Sequence, residues 1–251
     1  MEKMIYSIVF LTNRPEKLHS ILTGLKGIAG ADLYSVSFSE IAAVVCDINK
    51  ADLITNQLTA IEYAAVIETL SQQFTLIPMR FGSVMESTEF IKKMVERNYL
   101  EIHQNLQKVD NKVEFGLKIF CDSDKLKAEL LAKSESGITI PSDPSVELKN
   151  SIYKDYVNKK LKEHRLEELL VTYVNLVISE ITGQLDRLKT ISKIKKMVTP
   201  TTIIDGVFLL DKALKDELIQ GVGDLQNKFP GLNFILTGPW PPYNFVDFTV
   251  K

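Results

Sequence analysis

Leu33-Tyr34-Ser35-Val36-Ser37-Phe38-Ser39-Glu40-Ile41-Ala42-Ala43-Val44-Val45-Cys46-Asp47 is the stretch on which the fold turns. Its first part alternates. Tyr34, Val36 and Phe38 face one way and Ser35, Ser37 and Ser39 the other, the period of two of a β-strand. Glu40 to Asp47 reads as a second strand behind a tight connection. Working outward, Ile5 to Leu11 is a short apolar run that predicts a buried strand. Pro15 opens a helix through Leu18, Ile21, Leu22 and Leu25, ended by Gly24, Gly27 and Gly30. Asn49 is placed to cap a second helix reaching about Leu70, with Leu53, Leu58, Ile61, Ala65 and Leu70 as its apolar stripe. Phe74 to Ile77 predicts a strand ending at Pro78. The order β-α-β-β-α-β is the ferredoxin-like arrangement.

A further helical pattern follows Ser87 through Phe90, Ile91, Met94, Val95, Tyr99, Ile102 and Leu106. It predicts a bridging helix over 87–107, and Asp110-Asn111 is a turn signal. The expected division is therefore an N-terminal ferredoxin-like domain, 1–109, and a C-terminal α+β domain, 110–251. In the latter, Val113 to Cys121 predicts a strand and Asp122 to Ser134 a helix capped by Asp122 or Ser123. A loop runs from Ser134 to Pro144. The longest helical region spans Val146 to Ile194, with Leu166, Leu170, Tyr173, Val177, Ile181, Leu185, Leu188 and Ile191 recurring every three or four residues. Gly183 is a point where it could kink. Met197 to Thr202 and Val207 to Leu210 predict strands around an Asp205-Gly206 turn. A helix over Ala213 to Asn227 and a strand over Leu232 to Leu236 precede a Pro/aromatic tail. The fold class is thus α+β with two domains, the second carrying long helices and a small antiparallel sheet.

With 251 residues the chain is long enough for two cores, and 45 % apolar with 25 % charged residues is ordinary for a globular protein. A formal net charge of −2 argues against a dedicated nucleic-acid binder, which needs a local cationic excess. Lys193-Lys195-Lys196 reads as a helix end. Cys46 and Cys121 lie in separate strand-like runs and read as buried thiols of a reducing compartment. No apolar stretch is long enough to cross a bilayer, and the expectation is a cytoplasmic protein.

Little here points to catalysis. His19, His103 and His164 fall on three helices without Cys or His companions at ligand spacing. Neither a nucleophile elbow nor a phosphate loop is present. Gly221-Val222-Gly223 lacks the strand-then-helix setting of a dinucleotide site. Asp122/Asp124 and Glu167/Glu168 read as capping and solvated carboxylates, since adjacent helical residues point about 100° apart. The expectation is a non-enzyme with neither cofactor nor metal.

Two segments stand out as contact elements. Pro78-Met79-Arg80-Phe81-Gly82 places a cation between a strand end and a glycine that permits a backbone turn. Arg80 there is either a structural brace or a partner contact. Gly238-Pro239-Trp240-Pro241-Pro242-Tyr243 sets the sole tryptophan among three prolines, which stiffen the backbone and fix the rings cheaply in entropy. Its aromatics either cover a sheet edge or form a hot spot.

These strings also carry a resemblance. Gly238-Pro239-Trp240-Pro241-Pro242-Tyr243-Asn244-Phe245-Val246 resembles the C-terminal signature of the gas vesicle GvpL/GvpF proteins. Leu76 to Val84 is similar to that family's Pro-x-Arg-Phe-Gly segment. Lys112 to Phe120 is similar to its Glu-Trp-Gly-x-Lys strand, with Phe115 in place of Trp. Gly137 to Pro141 matches the family's loop weakly. The resemblance implies an accessory factor for assembling gas vesicles, hollow protein-walled buoyancy organelles. Its implied partners are the small hydrophobic shell protein and other gas vesicle accessory proteins, with no nucleic acid and no membrane. Two other readings of an α+β pair stay open: a small-molecule-binding regulatory protein, and an enzyme with a dispersed site.

Overall fold

The computed structural model describes residues 1–11, 15–49, 56–135, 151–196 and 201–247. The chain runs β1 (Glu2–Phe10), α1 (Pro15–Gly24), β2 (Leu33–Phe38), β3 (Ile41–Ile48), α2 (Gln57–Ser71), β4 (Leu76–Pro78), β5 (Val84–Met85), α3 (Thr88–Arg97) and α4 (Tyr99–Val109). Then come β6 (Lys112–Cys121), α5 (Ser123–Glu135), α6 (Ser151–Arg187), β7 (Ile191–Lys196), β8 (Thr202–Asp211), α7 (Lys215–Lys228) and β9 (Leu232–Trp240). Contacts divide the chain into two units. The first is Met1–Phe115 with Leu209–Ala213 and Thr237–Lys251; the second is Gly116–Phe208 with Leu214–Leu236. Contacts therefore gather the Pro/aromatic tail, expected with 110–251, into the first unit.

In the first unit the sheet order is β2-β3-β1-β4, with β5 also on β1, and every pair is antiparallel. This is the ferredoxin-like order. The hairpin β2–β3 pairs Phe38 with Ile41 across Ser39-Glu40, and Ser39 takes the left-handed conformation (φ 53°) that such a tight turn demands. One face packs on α1 and α2 through Leu18, Leu22, Tyr63, Val66, Ile67 and Leu70. The other packs on α3 and α4 through Ile91, Met94, Val95, Ile102 and Leu106. Burial on both faces is why β1 and β3 read as unbroken apolar runs. A bulge between Ile5 and Ser7 switches the parity of β1: Met4 and Tyr6 share a face with Val9, not with Ile8.

The expected bridging helix over 87–107 is two helices. They meet at Asn98 and cover the sheet's second face. Asn98 is buried, its Nδ2 donating to the Met94 carbonyl at 2.7 Å. The α2 expectation also needs correcting. The helix starts at Gln57, capped by Asn56, whose side chain accepts from Thr59 N while Thr59 Oγ accepts in return. Asn49 lies outside it. The buried residues are Thr59, Tyr63, Val66, Ile67 and Leu70, so Leu58 and Ile61 face outward.

The second sheet, also antiparallel, has the order β7-β8-β6-β9. Helix α6 runs unbroken through Gly183 and buries Val174, Val177, Ile178, Ile181 and Leu185, a stripe at helical spacing. It stops at Arg187; Ile191, expected on it, begins β7. Asp205-Gly206 is not a turn but the middle of β8. A Cβ at Gly206 would lie 3.1 Å from the Phe208 ring, so the glycine serves close packing within a strand. Asp122 is the cap of α5, its Oδ1 accepting from Asp124 N and Lys125 N at 3.1 Å each. The loop expected from Ser134 begins later, because α5 continues through Glu135; the rest of it, to Pro144, and the start of the Met197 strand lie outside the described residues.

Candidate functional site

The strand end at Pro78 leads straight into a reverse turn. Met79 N donates to Tyr6 O at 2.9 Å, and Ser83 N donates to Arg80 O at 3.1 Å, closing the turn Arg80-Phe81-Gly82-Ser83. Gly82 sits at its third position with φ +82°, the conformation a type II turn requires there and glycine supplies without strain. The turn buries Pro78 and Met79, half-buries Phe81 and leaves Arg80 exposed. Among the described residues Arg80 makes no ion pair and no side-chain hydrogen bond.

Tyr63 of α2 organises this corner. Its hydroxyl donates to Met79 O at 2.8 Å, and its ring meets Phe81 edge-on at 5.3 Å and stacks on Tyr6 at 4.9 Å. Tyr6 in turn accepts from Ile28 N at 2.9 Å and touches Cys46 Sγ at 3.6 Å. Burial pushes the Tyr63 hydroxyl up, with a smaller push from Tyr243. Tyr243 itself is raised to about 12, by burial first and then by Glu68 and Glu114.

Tyr243 belongs to the Pro/aromatic tail, which is fixed to the first unit at several points. Glu114, only 3 % exposed, accepts from Asn244 N at 2.8 Å and Asn244 Nδ2 at 2.5 Å. Lys108 Nζ donates to Phe245 O at 2.8 Å, and Asn105 exchanges bonds with the Asp247 backbone at 3.1 and 3.3 Å. Phe245 is fully buried, and Val246 packs on the core under α3 and α4. Gly238 lies so close to β6 that a Cβ would stand 2.8 Å from Glu114 O and 3.0 Å from the Phe115 ring, and its φ is +121°. Pro241 and Pro242 are buried, yet Trp240 and Tyr243 keep 43 % and 42 % of their surface. Gly238 and Pro239 are exposed.

The first two strings and the Lys112–Phe115 start of the third thus fall in the first unit. Met79 and Phe81 rest on Tyr63 beside Tyr243, and Glu114 of the third string holds the tail. Sequence reasoning did not assign roles to Tyr63, Glu114, Asn244 or Phe245. Glu114 and Asn244 were legible only as letters within the motifs, and nothing local pairs them across the chain. The other candidates stay apart: His103 lies 3.7 Å from Glu40 and edge-on to Phe10, and His164 lies 3.5 Å from Glu168 on α6. Among the described residues no cluster of three or more His, Cys, Asp or Glu is placed to hold a metal ion, and no helix is long and apolar enough to cross a membrane.

The pattern of the family described as gas vesicle synthesis protein GvpL/GvpF matches residues 3–247. The chain belongs to the GvpL/GvpF family. Gas vesicle protein F1 of Halobacterium salinarum is 24 % identical over 230 residues, covering 90 % of this chain and 87 % of that protein. The crystal structure of the gas vesicle protein GvpF from an Anabaena species superposes with a TM-score of 0.74 at 19 % identity, covering 99 % of both chains. GvpF from Microcystis aeruginosa gives 0.71 at 17 % identity, over 98 % of this chain and 99 % of that one. At these identities the structures establish the fold.

Proposed function

We propose that this chain is a non-catalytic assembly factor for gas vesicles, which binds the small hydrophobic shell protein and other gas vesicle accessory proteins in a chaperone-like or nucleating role. It acts in the cytoplasm and associates with the vesicles. The family match over 3–247 carries this reading. The physics agrees with it: a subunit with one water-repelling face associates prematurely unless that face or its free strand edge is covered. The contact residues are exposed Arg80, Trp240 and Tyr243, held by buried neighbours in the way that anchors of an interface are held rigid before binding. The first unit, which holds the N-terminal ferredoxin-like domain and the Pro/aromatic tail, supplies the contact.

Co-purification with the shell protein tests this, using the full chain and its Arg80→Ala and Tyr243→Ala variants. Wild type retains the shell protein, and each variant weakens retention by about tenfold, the weight of a moderate hot spot. Absence of the shell protein from wild-type eluates under native conditions would sink the reading.

A further inference from the structure

Helices α3 and α4 meet at Asn98 beside a cavity of about 510 Å³, with Phe38 and Tyr99 on its wall as an edge-on pair 5.7 Å apart. Asn98 is only 6 % exposed. Its Nδ2 donates to the Met94 carbonyl, which fixes the way the amide faces. Oδ1 is left over. It bonds neither to the first turn of α4 nor to any other residue. Among the described residues Ser7 Oγ alone is sealed in without a partner, so Asn98 Oδ1 keeps an opening. That opening is the cavity Asn98 lines, and an acceptor held this deep without a donor calls for one.

Charge decides what the donor is. Glu96, Arg97 and Glu101 line the same cavity, and none of them makes an ion pair among the described residues. The helix ends explain two of the three. Arg97 closes α3, where a cation complements the helix dipole, and Glu101 sits in the first turn of α4, where an anion does. Glu96 has no such explanation: it is a carboxylate in the last turn of α3, where negative charge is unfavourable. The helix ends thus leave unbalanced one carboxylate and one neutral acceptor, and a cationic donor satisfies both. Phe38 and Tyr99 are half-buried and Leu100 is 75 % exposed, so an alkyl stem finds apolar surface and ring faces next to its charged end.

We infer that the α3–α4 cavity is a seat for a lysine side chain of a protein partner, with its ammonium shared by Glu96 and Asn98 Oδ1 and its stem on Phe38, Tyr99 and Leu100. An ammonium has three donors to divide among separate acceptors, without the planar pairing a guanidinium prefers. An open seat of this kind holds a free amine weakly and serves as one anchor of a larger interface. It uses none of the residues of the Arg80 turn or the Pro/aromatic tail and does not depend on the assembly-factor reading. The isotope-labelled full chain is titrated with Nα-acetyl-lysine methylamide and followed by NMR. The Asn98 side-chain amide and the Leu100 and Glu101 backbone signals are expected to shift. The norleucine analogue, which keeps the stem and lacks the charge, should leave them in place. Glu96→Gln should weaken the lysine probe about threefold and Arg97→Gln should strengthen it about twofold, with melting temperatures little changed because both side chains are exposed. Equal shifts with the norleucine analogue mean an apolar seat. Shifts with inorganic phosphate, or weaker binding in Arg97→Gln, mean an anion site. Cadaverine binding more tightly than the lysine probe means a site for free diamines. Each of these overturns the proposal, as do full affinity in Glu96→Gln and the absence of any shift.

Discussion

Glu114 accepts two hydrogen bonds from Asn244, one from the backbone N–H and one from the side-chain amide, across 130 positions of sequence. A carboxylate this buried needs such donors, because leaving it without them carries a desolvation cost. Asn244→Ala removes one donor. The expected loss is about 2 kcal/mol of stability, within the range for a hydrogen bond to a buried charge. The sole tryptophan, Trp240, lies four residues away and reports the change directly. Its fluorescence should become easier to quench in the variant at temperatures well below global melting.

Gly238→Ala should be the more damaging change in the tail. The left-handed φ of +121° and the approach of 2.8 Å to a backbone oxygen leave no rotamer by which the methyl escapes. An expected cost of about 2 kcal/mol or more follows from strain plus displacement of β9 from β6. Gly82→Ala is the control. It shares a positive φ but has open space around its Cβ, so it should cost only about 1 kcal/mol. Equal melting temperatures for the two variants would contradict this account.

Ser7→Ala is expected to be neutral or stabilising. The Ser7 hydroxyl is fully buried beside the β1 bulge and has no hydrogen-bond partner among the described residues. Removing a buried polar atom that forms no bond relieves a penalty of about 1 kcal/mol. A clear fall in melting temperature would show that the hydroxyl has a role in the folded chain.

High pH should destabilise the first unit. Tyr243 titrates at about 12 in the folded chain against an ordinary value of 10.0, and Tyr6 and Tyr63 are raised as well. The folded state therefore holds these protons more tightly than the unfolded state. Their contribution is fully present below pH 10 and is lost as pH climbs from 10 toward 12. Melting temperatures across that window should fall, and Tyr243→Phe should fall less. Tyrosinate absorbance followed in parallel should lag behind that of free tyrosine.

The alternation of Tyr34, Val36 and Phe38 and the long run of β3 were enough to read the ferredoxin-like order from sequence, because period-two patterns survive burial. The face of α2 was not legible. Leu58, Ile61, Tyr63, Val66, Ile67 and Leu70 surround most of that helix with apolar side chains, so periodicity could not separate Tyr63, which is buried, from Ile61, which is 58 % exposed. Asp205-Gly206 misled for a different reason. Local turn chemistry yielded to the tertiary need for a residue without a Cβ against Phe208. Likewise, the proline and tryptophan of the tail marked a rigid element, but its anchor at Glu114 is a long-range pairing that no local spacing encodes.

The anchoring of Asn244 by Glu114 also sets an order of events during synthesis. Asn244 leaves the ribosome 130 residues after Glu114, on the order of ten seconds later at ordinary elongation rates. Through that interval the nascent first unit must keep its carboxylate hydrated, so its corner stays open until the closing strap is translated.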